Sequence, residues 1–587
     1  MKALVKLLAF LKPYLFFAVI GPLFMFVEVA MDLLQPLILQ WIIDKGIADN
    51  DTPYVIKMGL IMVAVALIGL IGGVGCSVFS TKAAVSFSTD LRKEVFRKIE
   101  HFSSKTADSF GTGKLITIAT NDVNAVHSAI LMSLKVLVRG PLLFIGSIIL
   151  VFVSAREFFP ILAAVIPLLA AVNWIIMKKA GALFLKVQEA MDKMNTRLQE
   201  NLAGIRVVKA FGRQKHEMKK FSKVNGELTN VNIDANKVLT KLMPLMLLFV
   251  NLGIVAALVS GAFKIKGGTT EIGVILAFIN YLTITLNALM SSSHALMTLT
   301  RAFPSAERIW NVLTIKEEIS GNVHKEKIPI AGDVEFRNVS FRYSGTGEYV
   351  IKNISFLAKK GEKVGIIGSI GSGKTTIAKL MARLYDPQEG EILIDGINLK
   401  DYHLSHLREA MAVVPQKTIL FSGTVKENIL FGKEDGNEAE LNFAAEKSMA
   451  LPFIEKFDGR FDHTVTQGGT NLSGGQKQRL AIARAFIRKP AIMIFDDCTS
   501  AVDALSERAI LKSIYGDFSE ATVFIISSKI SAIKDADKII VLDGGKISGI
   551  GTHQQLLRDN AVYKEIYLTQ SGREEFADER AKRPLPQ

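Results

Sequence analysis

Apolar residues are distributed unevenly along the chain, and the long apolar runs fall in its first half. Four of these runs are each about 20 residues or longer, which is enough for a helix to cross the ~30 Å hydrocarbon core of a bilayer. Two further runs complete the pattern. Their signal is weaker, because one contains acidic residues and the other is short unless it is extended through a basic residue. The predicted transmembrane spans are 15–43, 58–81, 130–155, 158–178, 242–263 and 272–300.

Two long polar segments between these runs predict the orientation. Residues 82–139 and 178–241 carry 9 and 14 Lys and Arg residues, whereas the connections at 44–57, 155–157 and 264–271 carry 2, 1 and 2. Because basic residues accumulate on the cytoplasmic side of a membrane, the N-terminus and both polar segments are predicted to be cytoplasmic. A multi-pass protein of a prokaryotic plasma membrane is expected, without a secretory signal peptide.

The net charge of +14 fits this topology and contact with anionic lipid better than binding to nucleic acid. The two polar segments keep a helical periodicity, as in residues 187–211. They are predicted to be long helices that leave the membrane and turn at breaks near 111–113 and 203–204. A solvated charged coil is the alternative interpretation.

A glycine-rich loop in the second half predicts a phosphate site. The sequence GSIGSGKTT at 368–376 follows the short apolar strand pattern 363–368 and precedes a predicted helix at 375–385. Main-chain N–H groups can surround a phosphate there, Lys374 would contact the β- and γ-phosphates, and Thr375 would hold Mg²⁺. The nucleotide-binding candidates of the loop are Gly368, Ser369, Gly371, Ser372, Gly373, Lys374, Thr375 and Thr376.

A second apolar strand pattern, at 491–497, ends in two acidic residues and would deliver Asp496 to the Mg²⁺. ATP and Mg²⁺ are therefore the predicted ligands. The predicted domains are a transmembrane domain at 1–310, a linker at 311–332, a nucleotide-binding domain at 333–570 and a charged tail at 571–587. A solvated terminus is the simpler interpretation of the tail.

With these motifs in place, the whole chain resembles a half-transporter of the ATP-binding cassette (ABC) exporter family with a type IV fold. The resemblance rests on six spans, on TNDV at 120–123, on GIRVVKAF at 204–211 and on the cassette motifs that follow. It implies an α-helical polytopic membrane domain with long intracellular extensions, followed by an α/β P-loop nucleotide-binding domain.

The resemblance also assigns further residues. Tyr343 would stack on adenine, and Gln416 would be the Q-loop residue and a ligand of Mg²⁺. The signature LSGGQ at 472–476 would bind the nucleotide of a paired cassette, and SAVD at 500–503 resembles the D-loop. The signature residues are Ser473, Gly474, Gly475 and Gln476. Because the signature and the P-loop of one cassette are expected to serve different sites, the chain is predicted to need a partner subunit.

Two departures from the family pattern concern hydrolysis. Asp497 stands where the family usually has the Glu that polarises the attacking water, and Ser528 stands at the position of the switch His. These departures predict a heterodimer, in which this chain contributes a degenerate ATP site and an intact signature. The partner would carry the Glu and the His. A homodimer in which Asp497 is a tolerated catalytic acid is the alternative.

Polar residues within the spans suggest a substrate pathway. In the last span, polar side chains recur at helical spacing on one face, and in the first span Glu28 and Asp32 lie four residues apart. The alternative role for the polar residues of the last span is interhelical hydrogen bonding. The alternative for Glu28 and Asp32 is a water-filled outer vestibule, where charged side chains cost little. The last-span candidates are Asn280, Thr283, Asn287, Ser291 and His294.

Multidrug efflux of small hydrophobic compounds is the expected transport function. Lipid or peptide export, or an ATP-gated channel, remain as alternatives.

Overall fold

The computed structural model describes residues 2–316, 328–343 and 347–570, apart from the side chain of Arg301. Part of the predicted linker and the predicted tail at 571–587 therefore lie outside the described residues. The chain forms two compact units: Met1–Glu100 with Thr112–Ile315, and His101–Gly111 with Lys316–Gln587.

The first unit is helical. Among the described residues, six helical segments are long and apolar enough to cross a membrane, and they comprise 43 to 53 residues each. A helix of 43 residues is about 65 Å long, so each segment exceeds the ~30 Å apolar layer. The predicted number of six apolar helices is confirmed, and each helical segment is longer than the span predicted within it. The segments are Lys2–Ile47, Thr52–Glu100, Thr112–Ser154, Arg156–Ala203, Gln214–Lys266 and Ile272–Thr314.

Within these segments, short irregular turns divide the α-helices. Turns of π-helix occupy Ile42–Ile47 and Ile118–Asp122, and 3₁₀ turns occupy Leu8–Tyr14 and Arg156–Phe158. The α-helices are α1 (Lys2–Leu7), α2 (Leu15–Trp41), α3 (Thr52–Glu100), α4 (Ser104–Phe110, in the second unit), α5 (Thr112–Thr117), α6 (Val123–Ser154), α7 (Phe159–Ala203), α8 (Ile205–Ala210), α9 (Gln214–Leu239), α10 (Leu242–Lys266) and α11 (Ile272–Thr314).

The breaks expected in the two polar segments are present. Helix α4 ends at Gly111, which adopts φ +74°, and α7 ends at Ala203, before Gly204. A further break before α4 was not predicted. There the Ser103 hydroxyl accepts a hydrogen bond from the Thr106 N–H and caps the new helix.

The second unit is an α/β fold. Its strands are β1 (Val334–Phe341), β2 (Ile351–Ala358), β3 (Lys363–Gly368), β4 (Glu389–Ile394), β5 (Ile397–Asn398), β6 (Met411–Val414), β7 (Gly423–Thr424), β8 (Thr464–Val465), β9 (Ile492–Asp496), β10 (Thr522–Ile526), β11 (Lys538–Asp543) and β12 (Lys546–Gly551). In the part of the unit that the structure describes, they form three sheets: a four-stranded antiparallel sheet of order β2-β1-β4-β5, a six-stranded sheet of order β12-β11-β3-β10-β9-β6, and the pair β7-β8.

Helices cover the six-stranded sheet, whose strands β11, β3, β10, β9 and β6 run parallel. All six residues of β3 are buried, as expected of a central parallel strand. The helices are α12 (Lys374–Met381), α13 (Leu404–Glu409), α14 (Val425–Leu430), α15 (Glu438–Lys447), α16 (Leu451–Ile454), α17 (Gly474–Phe486), α18 (Ala504–Gly516) and α19 (His553–Asp559), and residues 561–570 form a C-terminal helix.

One predicted helix is shorter than expected. The sequence predicted helix over 375–385, but α12 ends at Met381 and Arg383 adopts φ +47°. The Arg383 guanidinium then donates a hydrogen bond to the Tyr402 carbonyl. This turn leaves Tyr385 free to donate its hydroxyl hydrogen to Asp108 in α4. Long-range contacts of this kind override the helical periodicity of the sequence.

Candidate functional site

The carboxyl ends of three neighbouring parallel strands bring the predicted ATP-site segments together. Strand β10 lies between β3 and β9 in the sheet. The phosphate loop follows β3, Asp496 ends β9, and Ser528 follows β10 within two residues. Loops at this edge of a parallel sheet commonly form ligand sites, so the order of the strands explains how distant motifs converge.

The phosphate loop is shaped to receive an anion. Gly373 adopts φ +94°, and a side chain there would run into Ile351. The Ser372 hydroxyl is buried and has no hydrogen-bond partner among the described residues. Because a buried hydroxyl usually has a partner, an incoming phosphate oxygen would fit this position. Helix α12 begins directly after Gly373, with its N-terminus towards the loop.

The Lys374 side chain lies against the main chain of the phosphate loop. Its Nζ donates hydrogen bonds to the carbonyls of Gly368 and Ser369, both at 2.8 Å. Burial lowers the pKa of Lys374, while the nearby Asp497 and Asp496 oppose this shift. A phosphate would favour the charged ammonium, so its arrival would offset the burial cost.

Two of the three predicted Mg²⁺ ligands, Thr375 and Asp496, are in contact. The Thr375 hydroxyl donates a hydrogen bond of 3.2 Å to the Asp496 carboxylate. Burial raises the pKa of Asp496, and the hydrogen bond from Thr375 partly opposes this. This oxygen pair suits Mg²⁺, which would supply positive charge against the phosphates when bound.

Asp497 lies immediately beyond β9 and has an unusual backbone. It adopts φ +48°, and its N–H donates to the Ile526 carbonyl at 2.8 Å. The Gln416 side-chain amide donates to the Asp497 carboxylate at 3.4 Å, a long hydrogen bond. The structure therefore brings Gln416 and Asp497 together near Lys374 of the phosphate loop.

Ser528 is exposed and follows β10. Its carbonyl accepts a hydrogen bond of 2.7 Å from the side-chain amide of Gln570. The Tyr343 hydroxyl lies 3.3 Å from the hydroxyl of Thr376, at the end of the phosphate-loop motif. Lys379 Nζ lies 5.3 Å from the centre of the Tyr343 ring.

The signature segment begins α17 with a reciprocal cap. The Ser473 hydroxyl accepts from the Gln476 N–H, and the Gln476 side chain accepts from the Ser473 N–H at 2.8 Å. Gly474 and Gly475 follow Ser473 as the first residues of α17. They lie against Ala501 of the segment at 500–503.

A buried glutamine that the sequence analysis missed joins these two segments. Gln478 donates its amide to the Ser500 hydroxyl at 3.1 Å and accepts from the Ala501 N–H at 2.9 Å. Only its position inside an otherwise apolar helix face signalled it in the sequence.

The polar residues of the last span share one exposed face of α11. Asn280, Thr283 and Ser291 donate hydrogen bonds to carbonyls of their own helix. All five candidates are exposed, including Asn287 and His294.

Other residues of α11 make the interhelical hydrogen bonds. Tyr281 donates to the Leu33 carbonyl at 2.9 Å, and the hydroxyls of Thr285 and Ser147 are 2.8 Å apart. The interhelical hydrogen bonds that the structure describes for α11 therefore come from residues other than the five candidates.

The two acidic residues of the first span share a basic partner. Arg139 of α6 lies 3.3 Å from the Glu28 carboxylate and 2.9 Å from that of Asp32. Lys135 lies one helical turn before Arg139 and donates to the Ser77 hydroxyl at 2.9 Å. Arg139 was not predicted from the sequence as the partner of this pair.

Two cavities meet at this ionic cluster. One of about 560 Å³ is lined by Glu28, Asp32, Lys135 and Arg139 together with apolar residues of α2 and α3. The other, of about 360 Å³, is lined by Asp32, Arg139, Asn280 and Asn287. The structure therefore brings the acidic pair of the first span near two of the five candidates of the last span.

Comparisons with known proteins match both parts of the chain. The family profile described as ABC transporter transmembrane region covers residues 18–289, and the profile described as ABC transporter covers 351–500. An uncharacterized ABC transporter ATP-binding protein YfiB of Bacillus subtilis is 39% identical over 97% of this chain and 99% of its own length. The chain belongs to the ABC transporter family.

Other similar proteins agree with an exporter. The ATP-dependent lipid A-core flippase of Haemophilus influenzae is 33% identical over 82% of each chain. The structure of a bacterial Atm1-family ABC exporter with ATP bound shares the fold, with a TM-score of 0.77 and 24% identity over 94% of this chain and 98% of that one. This ABC exporter is thus an ATP-driven, multi-pass membrane protein whose nucleotide-binding domain implies ATP binding.

Lys374→Ala is expected to weaken ATP binding to the full-length exporter by ~10- to 100-fold, because a charged hydrogen-bond donor to phosphate is lost. Titration with a fluorescent ATP analogue measures the effect. Lys359→Ala, which removes an exposed lysine before β3, is the matched control. Equal affinity in the two variants would contradict the role of Lys374.

Proposed function

We propose that this chain is the degenerate-site subunit of a heterodimeric ABC exporter that removes small hydrophobic compounds by alternating access. The observation that carries the proposal is the composition of the ATP site. The phosphate loop, Asp496 and the signature are intact, whereas both hydrolytic positions, Asp497 and Ser528, depart from the family pattern.

The geometry around Asp497 supports slow hydrolysis. An Asp side chain is one methylene shorter than Glu, and the long hydrogen bond from Gln416 already engages its carboxylate. A general base must lie within hydrogen-bond distance of the water that it activates. A displacement of ~1 Å can lower the rate by ~10²-fold, so the shorter acid is a poor base here.

Ser528 weakens the same step. A serine hydroxyl has neither the length nor the positive charge with which a histidine could contact a γ-phosphate. Because both departures affect hydrolysis while the binding residues remain, ATP would be held and turned over slowly. The reset of the transport cycle would then depend on the partner's site, which this chain's signature completes.

The membrane unit supports an amphiphilic cargo. Its cavities combine apolar walls with the formally neutral cluster of Glu28, Asp32, Lys135 and Arg139. A hydrophobic compound with a polar group could contact both. Export of a lipid is the second candidate, because the flippase relative is named for lipid A-core transport.

The orientation completes the proposal. The basic segments that extend from the spans support a cytoplasmic N-terminus and a cytoplasmic nucleotide-binding domain, in a prokaryotic plasma membrane. Pairing of the cassettes around ATP would close the cytoplasmic side, and the breaks at Gly111 and Gly204 would let the arms transmit that closure.

Reconstitution of the co-purified pair in proteoliposomes tests transport. ATP-dependent accumulation of a hydrophobic dye against its gradient is expected, which a channel cannot produce. Movement of a labelled phospholipid without dye accumulation would instead identify a lipid exporter, and dissipation of the dye gradient would contradict a pump.

Arg139→Ala is expected to change the selectivity of the cavity. The substitution leaves two carboxylates without their shared partner, so the ratio of ethidium affinity to the affinity for an anionic dye should rise ~10-fold. Fluorescence titration of the full-length protein in nanodiscs measures both affinities. Lys266→Ala removes the same charge at the end of α10, and an equal change in both variants would contradict the assignment.

A further inference from the structure

The C-terminal helix ends against the loop that carries Ser528. The Gln570 side-chain amide donates a hydrogen bond of 2.7 Å to the Ser528 carbonyl, and its oxygen accepts one of 2.9 Å from the Ile530 N–H. One amide therefore holds the main chain on both sides of Lys529. The contact joins positions separated by 42 and 40 residues in the chain.

The helix that presents Gln570 is firmly anchored. Tyr563 is fully buried, its hydroxyl lies 2.7 Å from His553 Nδ1, and its N–H donates to the Asn560 side chain. Val562 and Ile566 pack against the same hydrophobic core. Gln570 is therefore held by a structured element, two turns beyond a buried aromatic residue.

The segment that Gln570 contacts is otherwise a short connection. It begins where β10 ends, and the Ser527 N–H donates to the Ile366 carbonyl of β3. The Ser527 hydroxyl also accepts from the Lys529 N–H at 3.0 Å. These bonds fix the start of the loop, and the two bonds from Gln570 fix the part that follows Ser528.

We propose that Gln570 is a positioning residue of the ATP site, which fixes the switch loop at 528–530 and thereby the direction of the side chain at position 528. The residue acts through the main chain and touches no reacting atom. The C-terminal helix thus positions the switch loop in addition to packing against the hydrophobic core. The test has two arms. The measurement of nucleotide release from the natural chain does not depend on the proposed degenerate site, whereas the measurement of kcat in a hydrolysis-restored variant rests on it.

The first arm uses the full-length chain with its natural Asp497 and Ser528. Gln570→Ala should speed the release of a fluorescent ATP analogue ~10-fold, because the loop near the γ-phosphate loses its fixed position. Gln570→Glu keeps the acceptor for the Ile530 N–H but cannot donate to the Ser528 carbonyl, so it should release the analogue faster than wild type. Thr569→Ala is the control, since that hydroxyl bonds to the Glu565 carbonyl of its own helix.

The second arm adds Gln570→Ala to the Asp497→Glu, Ser528→His variant. We expect kcat to fall ~10-fold and KM for ATP to change by less than about twofold. The orientation of the side chain introduced by Ser528→His affects the chemical step more than it affects ATP binding. Thermal unfolding of each variant separates positioning from loss of fold. Unchanged release and unchanged kcat, or equal effects of Thr569→Ala, would overturn the proposal.

The two arms separate the proposals. If the double variant is inactive but Gln570→Ala still accelerates analogue release, the degenerate-site proposal fails and the positioning role stands. If the double variant is active, and Gln570→Ala changes neither its kcat nor analogue release from the natural chain, the positioning role fails alone.

Discussion

The isolated chain carrying Asp497→Glu and Ser528→His is expected to hydrolyse ATP ~10²-fold faster than the isolated natural chain. Glutamate restores the length of the general base, and histidine restores a side chain that can contact the γ-phosphate. The natural chain already supplies the phosphate loop, Asp496 and an intact signature. Two copies of the variant would therefore contain every element that hydrolysis needs.

Steady-state phosphate release from the purified full-length variants measures this gain. Each single substitution should restore less than the pair, because both residues act on the same step and such effects are not additive. Adding Lys374→Ala to the double variant should remove the activity and exclude a contaminating ATPase. A double variant no faster than the natural chain would contradict the assignment of the two positions.

Gly475→Ala is expected to lower ATP hydrolysis by the proposed heterodimeric pair ~10²-fold or more, although the substitution leaves this chain's own phosphate loop untouched. An added Cβ would lie 2.7 Å from the Ala501 carbonyl oxygen, a distance that requires the backbone to move. The signature at the start of α17 would then separate from the segment at 500–503. In the proposed pairing, this signature completes the competent site of the partner.

Gly516→Ala is the matched control, because a Cβ at the end of α18 meets no atom within 4 Å. Both variants should bind a fluorescent ATP analogue at this chain's phosphate loop with unchanged affinity. ATPase activity of the co-purified pair gives the readout, and thermal unfolding reports whether the fold survives. Full ATPase activity with Gly475→Ala would contradict the assignment of this signature to the competent site.

The sequence predicted the parts of the fold that depend on local patterns. Run length identified four of the six apolar helices, and a continuous apolar stretch identified β3 at 363–368. Glycine positions indicated where the arms turn. These features follow from the lipid environment, from burial on both sheet faces and from backbone freedom, which each leave a signal within a few residues.

The sequence did not predict contacts that join distant segments. Arg139 pairs with Asp32 across 107 positions, and Gln570 contacts the loop at Ser528 across 42. Gln478 and the segment at 500–503 form a third such contact. Each partner is an ordinary polar residue in its own segment, and only the packing of helices or the order of strands brings it to its site.

The helix after the phosphate loop is shorter than its sequence pattern predicted. Its periodicity continued to residue 385, yet the helix ends at Met381. Beyond the turn, Tyr385 is buried and makes its hydrogen bond to Asp108 in α4. Tertiary contacts therefore decided an element boundary that local propensity placed later.

The most direct test compares two substitutions in the co-purified pair. Asp497→Asn in this chain should change the ATPase rate of the pair by less than about twofold, whereas Glu→Gln at the corresponding position of the partner should lower it ~10²-fold or more. Rapid hydrolysis by this chain alone as a homodimer, abolished by Asp497→Asn, would contradict the account.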